Sequence, residues 1–558
     1  MNALESPPST PASSEGGPGE SRCPPLSPLF VAISHEQQQL APELAGAKAA
    51  ELSRMTRLGL RVPPAFVLPT SLCGPINAGD SAASDALRQG LRDGIAALEA
   101  ATGRRFGDDR APLLVSVRSG AAISMPGMLS TVLNVGLNEG AVHGLIGLTG
   151  NPRLAWDSYF RFIRMYADVV GGAPAENFSP AMEAMVRSEA VRDESDLDPE
   201  ALERLAHELL PVAERASVAI PADPFAQLEC AARAVYLSWE GERAKEYRRL
   251  NDIDGLAGTA VTVQAMVFGN AGGKSGAGVA FSRNPATGAK ELYVDFLFDA
   301  QGEDVVSGRR MPGDAGLLGA RLPGVARELG DAATRLEREL LDVQDIEFTV
   351  EDGRLWFLQT RPAKRTARAA LRILVDLVRE DIIDRDTALQ RVRAIDLAAA
   401  NLTRFADSAS PIATAVSAAP GVACGRIALD AAHAMNMAQR GEPVILVRRE
   451  PTTNDIAGMS VAQGLLTMVG ARTAHAAVVA RQMGKVCLVG CRELAIEDGC
   501  AFIAGQRLGA GDWISIDGDK GEVTLGRREI VTELPKEQLS EIAAWSRQSG
   551  SSPDLRQA

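Results

Sequence analysis

The sequence predicts a multidomain α/β (α+β) protein, and three observations carry that reading. The first is length. A chain of 558 residues exceeds what one hydrophobic core organises, and roughly 150 residues per domain implies three or four units. The second is a change of hydrophobic period, helical from about residue 141 to 249 and alternating from 259 to 361. The third is a further run of short apolar strands between about 411 and 526 with a helix among them.

Each element has its own reason. Residues 1–28 are rich in proline, serine and glycine and lack an apolar h-region, so they read as a disordered tail. A helix is expected from Ala45 to Leu58, stopped by Gly59 and then Pro63-Pro64. Pro112 to Val117 (PLLVSV) reads as a buried strand, with Arg118 emerging at its end beside Ser119 and Gly120. Tyr159, Phe162, Ile163 and Tyr166 mark the helical stretch. The segments GTAVTVQAMVF, SGAGVAFS, ELYVDFLF, DIEFTV and RLWFLQT read as strands with glycine-rich connections. Helix returns from Leu371 to about Leu402, where Asp386 is placed to cap a second short helix. The last α/β unit holds VILVR (Val444 to Arg448), GLLTMVG, VCLVG and WISIDG as strands and AHAAVVARQMG as helix. Residues 529–558 are polar, with one amphipathic stretch from Leu539 to Trp545.

Composition excludes some functions. A net charge of −13 and 4% aromatic residues disfavour a nucleic-acid partner. No apolar run approaches the roughly 18 residues of a membrane span, so no membrane partner is expected. The seven cysteines are scattered. Cys487 and Cys491 form a CxxxC pair with no companion ligands for zinc. Buried, reduced thiols in a cytoplasmic protein are the expectation.

Three places carry chemistry. In GLLTMVGARTAHAAVVARQMGKVCLVGC, an apolar strand ends at Gly470 and His475 falls where a helix begins, with Thr473 as N-cap. The free N–H groups and positive end of that helix would stabilise a phosphate carried on the imidazole, and a neutral imidazole is a competent nucleophile. A lone histidine at such a place is more often a capping or core residue, and the residues alone leave both open.

The second place is DIEFTVEDGRLWFLQTR, Asp345 to Arg361, a hairpin whose loop decides what meets. A two-residue Asp352-Gly353 turn would put Glu347 and Gln359 on opposite faces. A three-residue loop, Glu351-Asp352-Gly353 with Gly353 left-handed, puts Asp345, Glu347, Gln359 and Arg361 on one face. Ile346, Phe348, Trp356 and Leu358 then share the other. The second loop is the expectation. The polar face suits Mg²⁺ with polyphosphate, although a solvated outer face is the plain alternative. The third place is VRSGAAISMPGM with Arg118, together with Lys48 in GAKAAEL near a helix start. The glycine-rich GNAGGKSGAG is no Walker A loop, because position 268 is Phe268. It reads equally as a hairpin tip or a phosphate cover.

These residues resemble the pyruvate phosphate dikinase family. VRSGAAISMPGMLSTVLNVGLN, GNPRLAWDSYFRFIRMYADVV, NDIDGLAGTAVTVQAMVFGN, GVAFSRNPATG, AQGEDVVSG, QDIEFTVEDGRLWFLQTR and TAHAAVVARQMGK keep the family's order over roughly residues 40 to 530. The resemblance implies an ATP-grasp-like nucleotide-binding domain at 29–370 with a helical insertion at 141–249, then a helical linker at 371–408. A swivelling phosphohistidine domain would come next at 409–528, with a tail at 529–558. It implies that Lys48, Arg118, Arg161, Glu347 and Gln359 bind ATP and phosphate. Glu347 and Gln359 would hold Mg²⁺, and His475, Arg361, Asp345 and Thr473 would act in the chemistry. ATP would pass its β,γ-pyrophosphoryl group to His475 and leave as AMP. Inorganic phosphate would then take the outer phosphoryl as pyrophosphate.

Three departures qualify the resemblance. The family's pyruvate barrel needs about 250 residues. The stretch after the histidine domain is far shorter, so the acceptor is expected on a partner subunit or to be another small molecule. The family's GGMTSH is GARTAH here, with Arg472 in place of Met. Ala122 stands where the family has Arg, which bears on the use of phosphate. A non-catalytic nucleotide-binding regulator is the alternative from another class, and a homo-oligomer is compatible with either.

Overall fold

The structure is a computed structural model and describes residues 30–33, 39–123, 125, 128–307, 313–450, 455–470, 472, 475–497 and 499–549. The expected tail at 1–28 and the N-cap Thr473 lie outside them. Along the chain the elements used below are β1 (Val31–Ile33), α1 (Pro42–Arg57), β2 (Ala65–Leu68), α2 (Ser81–Thr102), β3 (Val115–Ala121) and β4 (Thr131–Val135). The helical stretch contributes α3 (Glu139–Thr149), α4 (Pro152–Val169), α5 (Pro199–Arg215) and α6 (Pro224–Leu237). Then come β5 (Thr259–Ala265), β6 (Gly276–Phe281), β7 (Tyr293–Phe298), α7 (Gly302–Ser307), α8 (Pro323–Leu340), β8 (Gln344–Glu351) and β9 (Arg354–Pro362). Two helices come after them, α9 (Ala367–Arg379) and α10 (Arg385–Val392). The last part holds β10 (Leu402–Phe405), β11 (Val416–Ala419), β12 (Val422–Ala428), β13 (Val444–Arg448), β14 (Gly464–Thr467), α11 (His475–Gln482) and β15 (Val486–Val489). It closes with β16 (Trp513–Asp517), β17 (Glu522–Leu525), β18 (Ile530–Glu533) and α12 (Lys536–Ser549).

Two antiparallel sheets build the first part. One runs β1-β2-β5-β3-β4 and the other β9-β8-β6-β7. The first packs under the helical stretch, where Phe160, Phe162, Tyr166 and Tyr236 are buried with Val115 and Val261 of the sheet. The second packs one face on α8, with Leu329, Leu336, Ile346, Phe348 and Phe357 in one cluster. That helix was not foreseen. Its apolar positions at 329, 332, 333 and 336 recur at helical spacing inside a region read as strand.

Several boundaries differ from expectation for visible reasons. β3 does not stop before Arg118. It runs through Ala121 because β5 pairs along its whole length, Val115 opposite Ala265 and Ala121 opposite Thr259. Asp384 caps α10 in place of Asp386, since its carboxylate accepts the Thr387 N–H. The polar C-terminal stretch is structured to residue 549. β18 pairs with β10, and α12 buries Ile542 and Trp545 in the same cluster as Leu371 and Leu374 of α9.

The last part is built around an eight-stranded sheet. Its centre, β12-β13-β14-β15, is parallel, and β16, β17 and β11 add antiparallel edges. α11 enters from the end of β14, which places His475 at the helix start as expected. Among the described residues the cysteines are free thiols, and all but Cys230 are buried. No helix among them is long and apolar enough to cross a membrane.

Candidate functional site

The hairpin β8–β9 sets the chemistry of the site, and it does so by a route different from the expected one. Its turn has two residues, Asp352 and Gly353, both with positive φ (46° and 75°), and Glu351 pairs with Arg354. That register alone would put Gln359 on the wrong face. A bulge at Leu358 then resets the pairing. Phe348 faces Phe357, but Glu347 faces Gln359 and Asp345 faces Arg361. The four polar residues share a face, as expected, through the bulge and not through a three-residue loop. Trp356 consequently pairs with Thr349 and Leu358 is the extra residue, so neither lies on the Ile346/Phe348 face. Phe357 and Leu355 fill that face instead.

Arg118 approaches this face from β3. Its Nη1 donates to Gln264 Oε1 at 3.2 Å and to the Leu358 carbonyl that the bulge turns out, at 3.3 Å. Its Nη2 lies 3.6 Å from Glu347. Arg361 lies on the other side of the same carboxylate, 3.6 Å from it, and donates from Nε to Asp345 at 2.8 Å. Burial pushes the Asp345 carboxyl up, opposed by Arg361, and its Oδ1 has no hydrogen-bond partner among the described residues.

Lys48 completes the cluster from α1. The helix kinks at Gly46 (φ 75°), where a Cβ would sit 1.9 Å from the Gly120 carbonyl. Only glycine permits that approach of α1 to β3. Desolvation pushes the Lys48 ammonium down to about 7, helped by Arg118 and Arg361 and opposed by Glu347.

A cleft of about 570 Å³ opens between the two sheets and is lined by Arg118, Gln264, Glu347, Arg161, Glu303 and Asp304 among others. Arg161 sits across it on α4. Its Nε donates to Asp157 at 3.1 Å, its Nη1 to Asp304 at 2.9 Å, and Glu303 lies at 3.9 Å. Burial works against its charge, but these carboxylates outweigh it and raise its pKa. Gly269 and Gly278 of the glycine-rich segment also line the cleft. The segment is pinned to the hairpin turn, with the Gly353 N–H donating to the Lys274 carbonyl.

Glu347 and Gln359 fit the expected magnesium. Both oxygens of Glu347 lie 3.6 Å from their nearest cations, longer than a hydrogen bond, and a Gln amide pairs directly opposite. One carboxylate and one amide oxygen form the small protein ligand set that Mg²⁺ accepts alongside phosphates and waters. Among the described residues no cluster of three His, Cys, Asp or Glu side chains forms an all-protein metal site.

The histidine-bearing part docks on this assembly. Arg472 donates from Nε to Asp295 on β7 at 2.9 Å. Sequence reasoning did not single out Gln264, Asp295, Glu303, Asp304 or Arg481. Glu303 and Asp304 were legible only as the tandem acids of AQGEDVVSG, and Asp295 and Arg481 gave no local signal.

Comparison with known proteins places the chain in a family. Residues 77–326 and 323–381 match the pyruvate phosphate dikinase, AMP/ATP-binding domain. Residues 440–521 match the PEP-utilising enzyme, mobile domain. The chain is 43% identical over 511 residues to a pyruvate, phosphate dikinase of Clostridium symbiosum, covering 90% of this chain and 58% of that protein. It is 42% identical to the chloroplastic enzyme of Flaveria trinervia, covering 91% and 54% respectively. Pyruvate, phosphate dikinase 2 of Zea mays is also 42% identical, with 90% and 58% covered. The chain thus spans little more than half the length of these relatives. With its nucleotide part matched across more than half its residues, the chain belongs to the pyruvate phosphate dikinase family of AMP/ATP-binding domains and carries the PEP-utilising mobile domain behind it.

Proposed function

We propose that this chain is a pyruvate phosphate dikinase-like phosphotransferase with an ATP-grasp-like nucleotide domain, in which ATP and inorganic phosphate phosphorylate His475. The observation that supports it most is the convergence of Lys48, Arg118, Glu347 and Arg361 within one electrostatic cluster beside a cleft. The domain bearing His475 is docked on the adjoining sheet.

The chemistry divides into two displacements. The His475 imidazole attacks the β-phosphorus of ATP, the bond between that phosphorus and the α,β-bridging oxygen breaks, and AMP leaves. An oxygen of inorganic phosphate then attacks the γ-phosphorus, the bond between that phosphorus and the β,γ-bridging oxygen breaks, pyrophosphate departs, and the β-phosphoryl group keeps the bridging oxygen and stays on His475. Both transition states spread negative charge over phosphoryl oxygens, so fixed cations are the main source of acceleration. Arg118 and Arg361 supply them from opposite sides of Glu347, and Lys48 gains a proton as the phosphates arrive. Arg161 is positioned by Asp157 and Asp304 to meet phosphate across the cleft. Mg²⁺ held by Glu347 and Gln359 would neutralise phosphate charge. Asp345 orients Arg361. The acceptor, pyruvate on a barrel subunit or another small molecule, meets phospho-His475 outside the described residues.

The test uses the purified chain with Mg²⁺ and ATP labelled at the β or γ phosphate, beside His475→Ala. The reading expects acid-labile label on the wild type, absent from the variant, with AMP formed. With phosphate added, β-label stays while γ-label departs as pyrophosphate. ATP binding with neither AMP nor label would leave the regulator as the better reading.

A further inference from the structure

Arg472 stands three residues before His475, in the histidine-bearing part of the chain, yet its guanidinium is committed to the nucleotide part. Nε donates to Asp295 Oδ1 and Nη2 to the Val294 carbonyl, each at 2.9 Å. The guanidinium carbon lies 4.5 Å from the centre of the Tyr293 ring. All three partners are consecutive residues of β7. Asp295 is fully buried, and a carboxylate out of water is tolerated when it is paired.

The same loop is braced from its own side. Arg481 of α11 donates from Nη1 to the Arg472 carbonyl at 2.7 Å and to the Ala418 carbonyl at 2.8 Å. The backbone at 472 is therefore tied to α11 and β11, while the side chain reaches across to β7. An ion pair, a carbonyl bond and a ring face fix the position and the plane of one guanidinium. A lysine would satisfy one of the three, and the methionine of the resembling motif has no donor at all.

We propose that Arg472 is a positioning residue that latches the histidine-bearing domain onto β7 in the orientation that presents His475 to the nucleotide site. The inference rests on the phosphohistidine reading above. A carrier that serves two sites needs a docked state that is specific and reversible. A latch made of one charged side chain meets both needs, because water rehydrates the guanidinium and Asp295 when the domains part.

The test compares wild type with Arg472→Met, Arg472→Lys, Asp295→Asn and the Arg472→Met/Asp295→Asn pair. Three quantities are read: the rapid-quench rate of label transfer from saturating ATP to His475, ATP affinity by calorimetry, and the interdomain distance by energy transfer between dyes on the two domains. Each single removal is expected to slow transfer about 10-fold or more, while ATP affinity stays within about 2-fold. The pair should be no slower than the worse single variant. Arg472→Lys should recover part of the rate, and Arg472→Met should shift the distances to longer values. Arg472 is a partly exposed loop residue, so its variants keep the test alive if Asp295→Asn unfolds the sheet. Wild-type rate and distances in Arg472→Met would overturn the latch. So would losses that multiply in the pair, or a slowed rate at unchanged distance. If the wild type transfers no label, the catalytic reading fails and the distances alone decide the docking role.

Discussion

Glu347 and Gln359 sit directly opposite each other on β8 and β9 because Leu358 is an extra residue in its strand. The bulge does two things. It restores the pairing that the two-residue turn would deny, and it turns the Leu358 carbonyl toward Arg118. Deleting Leu358 separates these effects. Without the extra residue, the turn's own register already pairs Gln359 with Glu347 and Arg361 with Asp345. The deletion should therefore keep the fold and the polar face while removing the Arg118 contact and the cleft-lining Leu358 side chain. ATP affinity measured by calorimetry should fall about 5-fold, the scale of one hydrogen bond, with little change in melting temperature. Complete loss of ATP binding would show that the bulge sets the register in another way.

Lys48 predicts a pH dependence with a definite sign. Its pKa falls from 10.5 to about 7 in the folded, ligand-free chain. Between those values the unfolded chain binds the proton and the folded chain does not, so stability rises with pH across that window. Lys48→Met should flatten this rise in denaturant titrations between pH 7 and 10. ATP reverses the balance by bringing negative charge to the ammonium. At pH 8 binding should take up about one proton, measured by calorimetry in buffers of different ionisation enthalpy. Uptake should vanish in Lys48→Met and fade below pH 6, where the free protein already holds the proton.

What the sequence made legible here depends on how local each determinant is. β13, Val444–Arg448, was read to the residue because five apolar and basic positions bounded by turns specify it alone. The polar face of the hairpin was read correctly and its cause was not, since a bulge leaves no residue signature while a loop length does. The convergence of Lys48 on Arg118 was expected only through family resemblance. Physically it depends on Gly46 meeting the Gly120 carbonyl, 74 residues away, and no local pattern encodes that approach. Arg472 was noticed as a departure from a motif, but its partner Asp295 lies 177 residues earlier on another sheet.

Arg361 is a bridge as well as a charge. Its Nε bonds Asp345 while its Nη2 faces Glu347. Lysine keeps the charge and loses the planar fork that reaches Asp345 from one side and Glu347 from the other, so it cannot hold the two carboxylates in the same geometry. Arg361→Lys should slow phosphoenzyme formation about 100-fold, in the range of losing one preorganised donor, while ATP affinity falls far less. Equal losses in rate and affinity would assign Arg361 to nucleotide binding alone.

Arg283 makes a structural prediction where α9 meets the second sheet. It lies just past the end of β6, is wholly buried, and donates from Nε and Nη2 to Glu337 of α8 at 2.6 to 3.1 Å. Its Nη2 also meets Glu380, which ends α9, at 3.0 Å. The side chain thus ties the second sheet, its covering helix α8 and the following helix α9 together. Arg283→Met leaves the buried Glu337 carboxylate uncompensated and should cost about 3–5 kcal/mol, measured by urea unfolding. Replacing both members, Arg283→Met with Glu337→Met, removes the stranded charge and should recover most of that loss. Recovery in the pair would show that the damage comes from the orphaned carboxylate. A pair as unstable as the single variant would show that Arg283 acts through Glu380 and α9 instead.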